Sequence, residues 1–336
     1  MRGLMNRDDM NSRASKAAHD LQVITMGETM MAFEALEAAP LREVRRFRKW
    51  IGGAEDNFAI GLARLGVRCG WISRLGLDEF GHEILRTIRG EGIDTSQVVL
   101  DPEAQTGVFF VEPSTEGDPR CYYYRRDSAA SRMSAADLDT DYIGSNRILF
   151  LTGITPAISS TARRAAAEFF RLGREQQCTL VFDPNLRLKL WSIREARKVL
   201  IPIMQESDYV LPGEEELKLL MGRQSLREAI DKARDLGVSS LAVKQGAQGA
   251  LWVSESGTPE KVPGFRLKNP MSSLGAGDCF AAGFVAGLLT RKPGVECTRW
   301  GNALGAFCLM GNGPYQTLPD RSEFMDFLQG VESVTR

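Results

Sequence analysis

The stretch Leu274–Leu289 reads LGAGDCFAAGFVAGLL, three small residues leading into an apolar, Gly- and Ala-rich run with one acid, Asp278, in its first predicted helical turn. A helix N-terminus carries backbone N–H groups without intrahelical partners, and the helix dipole adds partial positive charge there. Gly275, Ala276 and Gly277 leave those donors uncovered, so an anion can approach the backbone closely. A carboxylate beside such an anion hole can accept a proton from an attacking hydroxyl. Taken alone, the same residues also describe an ordinary helix start in which the dipole favours an acid. What surrounds the stretch decides between the two.

Upstream, short apolar strands are expected at Arg147–Gly153 (RILFLTG), Cys178–Pro184 (CTLVFDP), Asp208–Pro212 (DYVLP) and Ser240–Gly246 (SLAVKQG). They alternate with helical patterns over Ser159–Gln176, Ile193–Glu206, Glu214–Met221 and Ser225–Leu236. Continuously apolar strands separated by helices predict an α/β architecture, with a largely parallel sheet covered on both faces. Ligands of such sheets sit beyond the carboxyl ends of the strands. Gly153-Ile154-Thr155, Asp183-Pro184-Asn185, Pro212-Gly213-Glu214 and Lys244-Gln245-Gly246 gather there. In the first half, a strand is expected at Leu21–Gly27, followed by polar, strand-like stretches at Met31–Phe47 and Thr106–Arg125. Between these, GGAEDNFAIGLARLG (Gly52–Gly66) turns from a Gly pair into an amphipathic helix with Ala54, Phe58, Leu62 and Leu65 on one face.

Composition narrows the partners. The 336 residues suit one large domain or two small ones. Forty-two basic against 43 acidic side chains leave a net charge of −1, which argues against nucleic acid or an anionic membrane as the main partner. No apolar run approaches the ~18–20 residues needed to span a bilayer. The six cysteines are scattered without a CxxC pair and read as packing residues, and two histidines make a His-rich metal site or a Ser-His-Asp machine a poor fit. Residues 1–20 are polar and mixed in charge, which predicts a disordered tail with no secretory segment and a cytoplasmic protein.

GAGDCFAAGF (Gly275–Phe284), together with GGAEDNFAIGLARLG, resembles the two signatures of the ribokinase-like carbohydrate kinase family, in the same order and at a similar separation. The resemblance runs over roughly Leu21 to Leu328. It implies a three-layer ribokinase-like fold over 21–330, with a central, mostly parallel sheet and a small β-sheet lid from segments near 31–50 and 106–126. It also implies ATP and Mg²⁺ as cosubstrate and cofactor, and the exposed lid edge suggests a homodimer. Carried over residue by residue, Asp278 is the catalytic base, and Gly275, Ala276 and Gly277 form the anion hole. Gly53 and Asn57 bind sugar hydroxyls. Lys244, Gly246 and Gly249 of VKQGAQGALWV lie on the nucleotide side, Gly249 serving chiefly the turn. PGEEE resembles the family's N-x-x-E element, with Gly213 where Asn is usual, so only Glu216 carries over, acting on Mg²⁺ through water.

Within the family, YYYRRDSAASRMSAADLD (Tyr122–Asp139), FLTGITPAIS (Phe150–Ser159) and the opening MGETMMAFE look like the 2-keto-3-deoxygluconate kinase branch. That likeness places Tyr123, Arg125, Ile154 and Arg187 around a sugar acid, and a planar guanidinium suits a carboxylate through two parallel hydrogen bonds. The expected product is 2-keto-3-deoxy-6-phosphogluconate. A fructokinase or other neutral-sugar kinase, and a non-catalytic sugar or nucleotide sensor, stay open. Several residues depart from the branch pattern. Asp127 stands where Gly is usual, Phe109 where Tyr is expected, and Ser272-Ser273-Leu274 replaces D-T-T, removing a carboxylate from the usual monovalent-cation site.

Overall fold

The computed structural model describes residues 21–113, 119–144, 147–255, 257–267, 270–271, 273–311 and 313–330. The predicted tail at 1–20 and Ser272 lie outside the described residues. Along the chain the strands are β1 (Val23–Met26), β2 (Met30–Ala35), β3 (Phe47–Gly52), β4 (Cys69–Gly76), β5 (Val98–Asp101), β6 (Val108–Glu112) and β7 (Arg120–Tyr124). They continue as β8 (Ile148–Thr152), β9 (Thr179–Asp183), β10 (Tyr209–Val210), β11 (Leu241–Lys244), β12 (Gly249–Val253) and β13 (Glu260–Pro263). The helices of eight residues or more are α1 (Ala54–Arg64), α2 (Glu79–Gly90), α3 (Ser160–Glu175), α4 (Ile193–Glu206) and α5 (Glu214–Met221). After these come α6 (Leu226–Asp235), α7 (Ala276–Leu289), α8 (Gly294–Cys308) and α9 (Arg321–Leu328).

The apolar runs became the middle of a nine-stranded sheet ordered β13-β12-β11-β10-β9-β8-β1-β4-β5. Pairing is parallel from β5 to β11 and antiparallel from β11 to β13. Alternate residues of each strand face opposite layers. Val23, Phe150 and Val181 point toward α1, α7 and α8, where Phe58 stacks on Phe150 with ring centroids 3.8 Å apart. Ile24, Leu149, Leu151, Leu180 and Phe182 face α3, α4 and α6. Both faces are therefore dry, which explains why the strands are continuously apolar. Helix starts are set by short-range chemistry: Ser192 with Glu195, Ser225 with Glu228 and Asp320 with Glu323 form reciprocal capping boxes. Among the described residues no helix is long and apolar enough to cross a membrane. All six cysteines are free thiols, and five are buried.

A second, four-stranded sheet has the order β3-β2-β6-β7, with β2 and β6 parallel and the outer pairs antiparallel. Its inner face packs Met30, Ala32, Trp50, Phe109 and Val111 against Leu274, immediately before the GAGD stretch. The chain crosses between the sheets four times, through Gly27-Glu28-Thr29, at Gly53, at Gly107 and after Tyr124.

α7 is apolar on nearly every side because it is buried on nearly every side. It meets α8 through glycines: a Cβ on Gly283 would collide with the Trp300 carbonyl, and one on Gly287 would sit 2.9 Å from Cys297 Cα. Such contact leaves no room for a methyl group. Gly283→Ala should therefore destabilise the fold by about 1–3 kcal/mol, read as a lower urea midpoint at unchanged m-value. Gly90→Ala, where a Cβ meets nothing within 4 Å, serves as the control and should be neutral or slightly stabilising.

Candidate active site

Asp278 sits in the first turn of α7, 7% exposed, between two amide side chains. Asn57, one turn into α1, donates from Nδ2 to Asp278 Oδ2 at 2.9 Å. Asn185, just beyond β9, donates from Nδ2 to Oδ1 at 3.2 Å. Burial pushes the Asp278 carboxyl up to about 7; the Asn57 hydrogen bond and the charges of Arg187 and Lys244 pull against that rise, and Asp183 adds to it. A carboxyl poised near neutrality can hold or release a proton at working pH, as a general base must.

The donor from β9 is built by a tight turn. Asn185 occupies the left-handed region at φ 36°, which asparagine tolerates better than most residues, and its N–H donates to Asp183 Oδ1 at 3.0 Å. Asp183, fully buried, accepts from Lys244 Nζ at 2.6 Å through Oδ2. Burial raises the Asp183 pKa against the pull of Lys244. Burial would lower that of Lys244, but the charges of Asp183, Glu216 and Asp278 leave it above its usual value. Glu216, in the first turn of α5, accepts the Leu186 N–H at 2.9 Å and the Gly213 N–H at 2.8 Å. Losing the family's Asn at Gly213 therefore leaves Glu216 in place, because backbone donors hold it.

Gly275 takes φ 84°, and the first-turn amides of Gly277 and Asp278 meet no backbone acceptor among the described residues. A Cβ on Gly277 would stand 3.4 Å from Lys244 Nζ, so an ammonium and a helix N-terminus converge on one space. Gly246, at φ 58°, faces open space on the same side. Gly249, at φ 95°, is needed for the backbone: any Cβ would collide with the Val262 carbonyl, so its glycine answers to the β12–β13 turn. The glycine requirement at Gly53 is likewise a backbone one, since a side chain would strike the Glu28 carbonyl and the Asp56 carboxyl.

Arg125, Tyr123 and Phe109 line the small-sheet side. The Arg125 guanidinium lies 5.9 Å over the Tyr123 ring and forms an ion pair with Glu28, which is 3% exposed. Phe109 is buried, stacked on Tyr123 at 5.4 Å and edge-on to Trp50 at 5.5 Å, so it serves as an apolar wall where a hydroxyl was expected. Arg187 is exposed; burial raises the pKa of both Asp278 and Tyr123, and the Arg187 charge works against that rise at each. Ile154 caps the turn after β8 and is half-buried. Asp127 takes φ 57°, which accounts for the glycine usual there as a conformational need rather than as space for a ligand.

The structure adds Asn185, Asp183, Glu28 and Glu55 to the residues picked from sequence. Glu55 ties α1 to the end of β8 by accepting from Thr152 Oγ1 at 2.7 Å and Thr155 Oγ1 at 3.0 Å. DPN was visible as a polar strand end, but its left-handed turn was not.

The donor set suits a polyphosphate: helix amides without a backbone acceptor among the described residues, a lysine beside them and an open glycine face. Glu216, with one backbone donor on each oxygen, keeps lone pairs for the water shell of a divalent ion. Among the described residues no group of three or more His, Cys, Asp or Glu could hold a metal directly.

The model of the pfkB family carbohydrate kinases matches residues 20–321. The chain belongs to this family. The 2-dehydro-3-deoxygluconokinase of Bacillus subtilis (strain 168) is 36% identical over 317 residues, covering 94% of this chain and 97% of the relative. Among solved structures, the PfkB protein of Polaromonas sp. JS666 is 40% identical at a TM-score of 0.83, covering 91% of this chain and 99% of that one. The fructokinase of Vibrio cholerae O395, solved with fructose, ADP and a calcium ion, is 25% identical at a TM-score of 0.83, covering 92% and 99%. The pfkB family architecture of a central sheet with a smaller accessory sheet is thus shared by this chain.

In this pfkB family kinase the buried Asp183 carboxyl has Lys244 as its ion-pair partner. Lys244→Met should leave Asp183 buried without a counter-ion and destabilise the fold by about 3–5 kcal/mol near pH 8. The loss should be smaller in a second measurement at pH 5, because burial raises the Asp183 pKa and a falling pH favours the form without a buried charge. Urea midpoints at the two pH values check this.

Proposed function

We propose that this pfkB family kinase transfers the γ-phosphoryl group of ATP to the primary hydroxyl of 2-keto-3-deoxygluconate, forming 2-keto-3-deoxy-6-phosphogluconate. The observation that carries the reading is Asp278, a buried carboxyl held by two amide side chains beside helix amides that meet no backbone acceptor among the described residues. Oδ2, now held by Asn57, is the oxygen that an incoming hydroxyl would reach, and Asn57 is then free to bond a neighbouring sugar hydroxyl. Asp278 takes the hydroxyl proton as the oxygen attacks. The Gly277 and Asp278 amides and Lys244 face the charge that develops on the transferring group. Mg²⁺, held through water by Glu216, would neutralise phosphate charge when bound. Arg187, which forms no ion pair among the described residues, supplies a cation for the acid end of the sugar, together with Tyr123 and Arg125.

The identity with 2-dehydro-3-deoxygluconokinase over nearly the whole chain supports the acid substrate. One observation favours a neutral sugar instead: Glu28 already compensates the charge of Arg125. The same reading puts the enzyme in the cytoplasm, where ATP is plentiful, and pairs two copies through the outer face of the small sheet. Phe33, Phe47, Phe110 and Tyr124 cluster on that face; Phe33 is partly covered by Phe80 of α2, while Tyr124 is 66% exposed.

ADP release from ATP and Mg²⁺, measured in parallel with 2-keto-3-deoxygluconate, its galacto epimer, fructose and ribose, tests the substrate. Turnover of the keto acids alone supports the proposal; turnover of fructose or ribose alone rejects the acid pocket. The base predicts a pH limb. Because Asp278 must be ionised to act and titrates at about 7, kcat/KM should fall roughly tenfold per unit below that pH and level off above it. Asp278→Asn should lower kcat about 10²–10⁴-fold and abolish the limb. Arg187→Ala should raise KM for the keto acid more than for any neutral sugar that is turned over.

A further inference from the structure

Glu28 lies at the junction of the two sheets, and all four chain crossings close on it. It belongs to the β1–β2 crossing itself. Its carbonyl blocks any side chain at Gly53, where β3 hands over to α1. Its Oε1 stands 2.8 Å from where a Cβ on Gly107 would lie, at the entry to β6. Beyond β7, Ser128 Oγ donates to the same Oε1 at 2.5 Å, while Arg125 pairs with Oε2. Oε1 is thus hydrogen-bonded, Oε2 lies against the guanidinium as an ion pair without a hydrogen bond, and the side chain is 1% exposed.

The consequence falls on Arg125. Its guanidinium is held at one end by Glu28 and rests over Tyr123, so a side chain that is otherwise rich in rotamers has one arrangement. Its Nε, and the Nη2 that forms the ion pair with Glu28, are buried and make no hydrogen bond among the described residues. A buried donor of this kind is unfavourable until an oxygen arrives. The group is clamped on two sides with one edge unsatisfied, as a preformed receptor for a ligand oxygen would be.

We propose that Glu28 is a positioning residue for the acceptor sugar, acting through Arg125; this rests on the reading that Arg125 touches the acceptor. Glu28 fixes the guanidinium plane and, through Gly53, Gly107 and Ser128, ties that plane to the seating of the small sheet over the central one. Acceptor KM depends on this pair more than kcat does, because Asp278 and the anion hole stand on other segments.

The test is a double-mutant cycle on the intact enzyme, with kcat and KM measured for 2-keto-3-deoxygluconate and fructose in parallel. Glu28→Gln keeps the size and loses the charge, and it should raise acceptor KM about tenfold or more while kcat changes much less. Ser128→Ala, a milder change that guards against misfolding of the first variant, should raise KM about two- to fivefold. In an Arg125→Ala background neither substitution should raise KM further. Equal penalties with and without Arg125 would mean a general effect on the fold and overturn the proposal. So would wild-type KM in both Glu28→Gln and Ser128→Ala while Arg125→Ala is impaired. If Arg125→Ala itself leaves KM unchanged for every acceptor turned over, the reading of Arg125 fails, and the inference fails with it for that separate reason.

Discussion

A buried carboxylate between two amide donors is the interaction around which the site is organised. Asp278 cannot stay ionised in a dry environment without hydrogen bonds, and Asn57 and Asn185 supply one to each oxygen. Those donors come from segments far apart in sequence, one from the helix after β3 and one from the turn after β9. Holding them in reach requires α1 and α7 to pack on the same face of the central sheet, and it requires β9 to end beside α7. The glycine contacts of α7 with α8 and the stacking of Phe58 on Phe150 therefore serve the carboxylate as well as the core.

The turn after β9 shows how the strand ends are tied into one unit. Asp183 reaches Lys244 on β11, Leu186 reaches Glu216 on α5, and Asn185 reaches Asp278 on α7. Three segments distant in sequence thus share one short turn. The left-handed conformation at Asn185 makes all three directions possible at once, and strain of this sort collects where surrounding contacts over-determine the backbone. The small sheet is attached differently, by close approaches at Gly53 and Gly107 and by the Glu28–Arg125 pair, so its seating follows from a few contacts at its base.

Much of this was legible before any coordinates. The helices at Ile193–Glu206 and Glu214–Met221 were bounded to the residue, because Ser192 with Glu195 and the acid-rich start PGEEE mark their first turns. β8 and β9 were clear because strands buried on both faces have no polar alternation to blur them. β4, α2 and β5 were not picked out. Gly70, Ser73 and Arg74 interrupt the apolar run of β4, and the half-buried β5 offers only four residues. The two sequences Met31–Phe47 and Thr106–Arg125 were recognised as strand-like, but the parallel pairing of β2 with β6 joins strands more than seventy residues apart, which local patterning does not encode.

By itself, the sequence determined the layered α/β architecture, the helix carrying Asp278 and the glycines at its start, because hydrophobic periodicity, caps and small residues act within a few positions along the chain. Only the tertiary structure decided that Asn185 and Asn57 would clasp Asp278, that Asp183 would take Lys244 as its counter-ion, and that Glu28 would hold Arg125. These pairings join residues separated by between 61 and 221 positions. Each forms because burial leaves a charge or an amide with no water to bond and one partner in reach, a condition that exists only once the layers have packed.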